Sequence, residues 1–199
     1  MKYTQLKETA AKEMQLNAGI LLDNFTPSTG TIGNILMATS GGCKFSDVIE
    51  YSDFGEDIDN CPKNTMEMKR ATGREIKISG TALTVTPAIA KMLIAAADVD
   101  GTDITKVVPR KDIDANDFDD LWWVGDYSDK NGETNGGFIA IHLSNALSTG
   151  GFSMETGENN KGKFPFEITA HYSIDDIDTV PYELYVQAGT SEPTSGSGG

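Results

Sequence analysis

The chain has 199 residues, 38% hydrophobic and 23% charged, and its 30 acidic against 16 basic side chains leave a net charge of −14. A surface this acidic repels phosphate backbones and anionic lipid, which argues against a tightly bound nucleic acid, and no apolar run reaches the roughly 20 residues of a membrane-spanning helix. A chain of this size buries about 70% of its unfolded surface as one domain with arms, so it needs no disulfide or metal to hold it together.

Residues 1–15 contain helix formers but only a thin apolar stripe (Tyr3, Leu6, Ala10), so they read as an arm that needs a neighbour to pack against. Short apolar stretches then alternate with Gly, Pro, Asn and Asp, the pattern of a mostly-β domain over residues 16–189. The expected strands are Gly19–Asp23, Asn34–Thr39, Asp47–Tyr51, Arg74–Leu83, Asp120–Asp126, Gly137–Ala146, Gly151–Thr156, Lys163–Ser173 and Val180–Gln187. Between two of them, Ser52–Gly73 reads as one long loop, because Gly55, Pro62, Gly73 and two Asn interrupt it and its apolar residues do not alternate steadily. Its first half is acidic (Asp53, Glu56, Asp57, Asp59) and its second half basic (Lys63, Lys69, Arg70).

One helix is expected at about residues 87–97. Thr86 can cap it, Pro87 suits the first helical position, and Ile89, Met92, Leu93 and Ala96 make an apolar stripe at spacings of three and four. In Phe164–Tyr172 the apolar residues alternate with Pro165, Glu167, Thr169 and His171. One face is therefore buried, with Phe166 and Ile168 among the largest core side chains beside Leu93 and Trp122 or Trp123. In Gly137–Ala146 the set Ile139, Ile141 and Leu143 is the more apolar face. Ser128–Gly137 reads as a turn-rich loop, and residues 190–199 have the composition of a flexible polar tail.

Chemistry finds little to rest on. Asp53-Phe54-Gly55 spells a kinase metal triplet without the accompanying loops, and Asp98–Asp103 resembles a calcium loop with its Gly too early and no Glu at the twelfth position. The neighbours Asp119–Asp120 and Asp175–Asp176 would point to opposite faces of a strand. Cys43 and Cys61, with His142 and His171, match no zinc spacing and read as two structural thiols and two surface or strand histidines. Neither an enzyme nor a cofactor site is expected.

Five stretches in order, LNAGILLDNF, SDFGEDIDNCPKNTMEMK, DLWWVGDYSD, NALSTGGFSMETGENNKGKFPFEITAHYSID and VPYELYV, resemble the major tail tube protein family of long-tailed bacteriophages and prophages of low-GC Gram-positive bacteria. The resemblance spans about Leu6 to Gly189. It implies a β-sandwich or half-barrel with one flanking helix, a fold shared with type VI secretion tubes. It also implies hexameric rings of this chain stacked around a tape-measure protein, with tail terminator and baseplate or distal tail proteins at the ends. The localisation it implies is the virion, after assembly in the host cytoplasm, with DNA only in transit.

The residues fit such an assembly on their own terms. An acidic wall lets DNA pass without holding it, edge-to-edge strands from several subunits remove exposed sheet edges, and head-to-tail contacts propagate into a tube. On this reading Phe54, Asp57, Ile58, Asp59, Met66, Lys69 and Arg70 carry the ring-to-ring contact. Glu167 and Thr169 face the lumen or a neighbouring subunit. The competing reading is a soluble β-sandwich module for carbohydrate or calcium, with Trp122 or Trp123 as its platform.

Overall fold

A computed structural model describes residues 3, 5–10, 13–127 and 136–189. The fold is mainly β, with antiparallel pairing throughout its principal sheet. In chain order the strands are β1 (Gln15–Leu22), β2 (Phe25–Thr26), β3 (Thr31–Ile32), β4 (Ile35–Met37), β5 (Thr39–Asp53) and β6 (Lys69–Ala82). Helix α1 (Pro87–Ile94) follows, then β7 (Ala97–Val99), β8 (Val107–Pro109), β9 (Asp119–Tyr127), β10 (Gly137–Ser148), β11 (Phe164–Ala170) and β12 (Tyr182–Gln187).

The large sheet runs β4-β1-β9-β10-β11-β6-β5, with β12 also paired to β10. Its two ends meet. Residues of β4 pair with β1 (Leu21 with Met37), while Thr39 at the start of β5 pairs with Ala82 of β6, and Leu83 N–H donates to the Ala38 carbonyl at 2.7 Å. One strand bent at Ala38 thus joins both edges and closes the sheet on itself at that corner, while the rest of β5 has β6 as its one strand partner among the described residues.

Closure needs small residues where walls come together. Gly19 has φ +70°, and a Cβ there would lie 2.5 Å from the Trp123 indole, which donates to the Ala18 carbonyl at 3.2 Å. The interior holds Leu21, Ile76, Ile78, Leu121, Trp123, Ile141, Leu143, Phe164, Phe166 and Ile168, all buried. Helix α1 plugs one end with Ile89 and Leu93, and Ser148 Oγ donates to the Leu93 carbonyl at 2.9 Å. A second cluster lies on the outside of the wall, where Phe25 from the β2–β3 hairpin covers Trp122, Val124, Ala140 and Phe138.

Strand directions sort the connections into two unlike ends. β6 and β10 run one way, and β5, β9 and β11 run back, so α1, β7 and β8 (between β6 and β9) sit at the same end as the β10–β11 connection. There Arg110 gathers Asp98 (2.8 Å), Asp114 (3.1 Å) and the buried Asp117. Burial pushes the Asp117 carboxyl up, but the Asp114 N–H and Arg110 outweigh it and hold it below the usual range. The β5–β6 turn and the start of β1 occupy the opposite end.

Several sequence expectations need correction. The loop expected at 52–73 spans only 54–68: Ser52 pairs with Arg70 and Asp53 with Lys69, past a bulge between Glu50 and Tyr51. A ribbon exposed on both faces needs no hydrophobic alternation, so its strands escape a pattern search. The helix ends at Ile94 rather than Ala97, because Ala97 opens the small β7–β8 sheet and Arg110 N–H donates to the Ala96 carbonyl at 2.7 Å. Gly151–Thr156 forms no strand beyond an isolated bridge between Glu155 and Lys163. The buried face of β11 ends at Ala170: the strand stops there and Tyr172 is 44% exposed. Cys43 and Cys61 are both free thiols. Most of Ser128–Gly137 and all of 190–199 lie outside the described residues.

Candidate assembly surfaces

Strand β5 is 15 residues long, about 50 Å at about 3.3 Å per residue, and it outruns the wall it belongs to. β11 pairs with β6 only as far as Lys77. Beyond that point β5 and β6 continue as a two-stranded ribbon, with Tyr51 and residues 69–72 exposed.

A clamp holds the root of this ribbon. Arg74 Nε and Nη2 donate to the two carboxylate oxygens of Asp47 at 2.7 and 2.6 Å, and the Tyr182 hydroxyl donates to the same carboxylate at 2.9 Å. The Arg74 guanidinium lies over the Tyr182 ring at 5.7 Å, and Phe45 packs on that ring at 5.3 Å. The Arg74 hydrogen bonds, opposed by burial and aided by Tyr182, hold the Asp47 carboxyl below the usual range. Fork-to-carboxylate pairs of this kind are stronger than ordinary surface pairs. Because Tyr182 opens β12, the clamp ties the ribbon to the last strand of the sheet.

The turn at the ribbon's tip is folded. Phe54 N–H donates to the Met68 carbonyl at 3.0 Å, and Asp53 accepts from the Asn64 and Gly55 N–H groups at 2.8 and 2.9 Å. Those two bonds hold the Asp53 carboxyl below its ordinary value. Thr65 Oγ1 donates to the Pro62 carbonyl at 2.7 Å, and Asn60 and Asn64 adopt left-handed φ of 61° and 63°. Gly55 is buried, and a Cβ there would meet Cys61 Sγ at 2.8 Å.

All seven residues expected to form a ring contact converge on this tip and its root. Phe54, Ile58 and Met66 are 62, 48 and 79% exposed, and Asp57, Asp59, Lys69 and Arg70 are exposed too. The acidic and basic halves pair little with each other: Lys63 reaches Glu56 at 3.4 Å, while Lys69 sits over the Tyr51 ring and Arg70 donates to the Glu67 and Lys69 carbonyls.

Glu167 and Thr169 project from β11 on the face opposite Phe166 and Ile168, both half-buried. Glu167 meets Lys77 at 3.2 Å, and Thr169 and Thr149 share a hydroxyl hydrogen bond of 2.8 Å. This is the outer wall of the closed sheet. Three features there escape sequence reasoning. The clamp joins residues 135 positions apart. The outer edge of β12 is unpaired among the described residues and exposes Leu184 and Val186 by 55 and 53%. The excursion between β11 and β12 is the third. An exposed apolar residue in a strand short of Pro and Lys would be the sequence signal for the edge.

The two tryptophans do face opposite ways, yet both are covered, at 7 and 9% exposure, so neither is a platform for a ligand. His142 stacks on Trp122 at 4.2 Å, with Asp120 and Glu183 at 3.6 and 3.7 Å, and His171 Nδ1 lies 3.2 Å from the Asn145 carbonyl. Among the described residues no three His, Cys, Asp or Glu side chains are placed to hold a metal ion.

Neither a protein-family model nor a curated protein matches this chain. A solved structure of the virion of a native gene transfer agent particle is similar to it at a TM-score of 0.40 and 9% identity, over 86% of this chain and 96% of that one. A likeness that slight carries no argument.

Proposed function

We propose that this chain is a structural protein of a phage-type particle, and that it stacks ring upon ring into a tail tube. The observation that carries the reading is the β5–β6 ribbon, a long projection with a folded tip whose apolar side chains stand exposed among the described residues. Ordering a 15-residue turn costs conformational entropy, and exposing Phe54 and Met66 on it gains nothing for a solitary molecule. Both make sense where the tip is buried by a second copy.

Two further features support it. The ends of the closed sheet are unlike, as a head-to-tail contact that propagates without closing requires. The free edge of β12, with Leu184 and Val186 exposed, suits strand pairing around a ring. In such a tube the excess of acid on the wall lets DNA slide through, Glu167 and Thr169 contribute to the lumen or to a ring neighbour, and a tape-measure protein fills the bore during assembly. Terminator and baseplate proteins cap its ends. No chemistry is assigned to the chain.

Negative-stain microscopy of the purified protein at high concentration tests the reading. Rings or tubes of uniform width are expected; particles that stay monomeric at every concentration overturn it.

A further inference from the structure

The ribbon tip needs a receiving surface, and the described residues offer an apolar groove beside an acidic excursion. Between β11 and β12 the chain makes an excursion over residues 171–181, held by a turn in which Asp176 N–H donates to the Ser173 carbonyl at 3.2 Å. On it Tyr172, Ile174 and Ile177 are 44, 92 and 66% exposed, and Asp175, Asp176 and Asp178 are exposed beside them with no salt bridge among the described residues. Between this excursion and the ribbon root lies an open groove of about 490 Å³, with Ile49, Tyr51 and Val180 in its walls.

We infer that this groove and its acidic rim receive the β5–β6 tip of a second copy, one ring along the tube. The inference rests on the tube reading above and names the surface that reading leaves open. The tip offers Phe54, Ile58 and Met66 together with Lys69 and Arg70, two exposed cations that form no salt bridge among the described residues, Lys69 feeling only the field of Asp53 across the ladder. The groove offers apolar walls, lined also by Asp178 and by Arg74, whose charge is already taken up by Asp47, and Asp175 and Asp176 stand exposed on the excursion beside it. Apolar anchors surrounded by complementary charge are how specific interfaces combine affinity with register. The tip cannot satisfy its own groove: the groove begins at Ala71, only two residues beyond the last ladder pair at Lys69, and a paired ribbon does not double back over that distance.

A charge swap tests the match. Lys69→Glu with Arg70→Glu, and separately Asp175→Lys with Asp176→Lys, should each leave circular dichroism unchanged and abolish tubes. The fourfold variant, with both signs reversed, should restore them. Failure of the fourfold variant to form tubes while remaining folded overturns the inference.

A second measurement uses the native thiol at the tip. Ile177→Cys in a Cys43→Ser background, assembled and then treated with a flexible bismaleimide, should link Cys61 of one copy to the new thiol of the next. Because the contact runs along the tube, the products should form a ladder extending past the hexamer. A ladder that ends at the hexamer, or no ladder in tubes that otherwise form normally, overturns the inference and leaves the tube reading standing. If the unmodified protein forms no tubes at all, it is the tube reading that falls.

Discussion

The same two strands serve the closed wall at one end and the naked ribbon at the other, and what holds them changes along their length. Near Ile76 and Ile78, which are 1 and 0% exposed, β6 is held by the apolar interior. From Lys69 to Thr72 the same strand is exposed on both faces and is held by ladder hydrogen bonds, the Asp47–Arg74–Tyr182 clamp and the hydrogen-bonded turn at its tip. An isolated two-stranded ribbon is marginal in water, so the clamp and the turn set its shape. On the tube reading, stability and assembly are written in different residues of one hairpin. Damage to the wall should unfold the chain, whereas damage to the ribbon should spare the fold and stop the tube.

The largest effect should come from the wall. Phe166→Ala removes a ring that is 4% exposed and packed in the interior, and should cost about 3–5 kcal/mol, read as a large fall in Tm. Gly19→Ala comes next. Its left-handed φ costs an L-residue about 1–2 kcal/mol, and the new methyl 2.5 Å from Trp123 adds overpacking of about 1–3 kcal/mol. An unchanged Tm in either variant would show that these residues do not line the interior.

How much of this was legible differs between the same two regions. Phe164, Phe166, Ile168 and Ala170 alternate because one face of β11 meets the core, and alternation is readable in a single sequence. The Thr86–Pro87 start of the helix was readable for a similar reason: Thr86 accepts from the Ile89 N–H at 3.3 Å, a purely local bond. The ribbon has no buried face, so its strands left no alternation and its turn looked longer than it is. Trp122 is covered by Phe25, nearly a hundred residues upstream, and Asp47 meets Tyr182 only through the pairing of β5 with β6, β6 with β11, and both β11 and β12 with β10. Local pattern carries no information about such pairs. The seven residues expected at the tip lie together because they are close in sequence, along the turn 54–68 and the first two residues of β6, and need no long-range contact to meet; their part in a ring contact is the proposal above.

Moving to the ribbon, Gly55→Ala should leave Tm nearly unchanged and disorder the tip, since a Cβ would strike Cys61 Sγ. Loss of amide-exchange protection confined to residues 54–68, with tubes abolished, is the expected pair of results; a global loss of protection would tie the tip to the core after all. Acid should act at the same place. The Asn64 and Gly55 N–H groups lower the Asp53 carboxyl pKa in the folded chain. Its contribution is therefore fully present above the ordinary carboxylate range, near about 4, and is lost as pH falls through the lowered value. Protection of the Asn64 amide should fall with pH in that window. In Asp53→Asn, which has no carboxylate to titrate, that dependence should vanish.

The smallest effect is expected on the outer wall, at Glu167. Its carboxylate is 42% exposed and meets Lys77 at 3.2 Å, but Lys77 also holds Glu75 at 2.7 Å, so the lysine keeps a partner when Glu167 is neutralised. Exposed pairs of this kind contribute about 0–1 kcal/mol. The amide of Glu167→Gln keeps an acceptor oxygen within reach of Lys77 and Thr149, and the side chain keeps its length and packing. Stability should stay within about 1 kcal/mol of the parent, and tubes should form at the normal concentration. The change would register instead in what the wall repels: one negative charge fewer per subunit is repeated around every ring, so tubes should bind a short DNA duplex more tightly at low salt. A Glu167→Gln chain that fails to fold would place this carboxylate inside the wall, and tubes with unchanged DNA binding would place it away from the lumen.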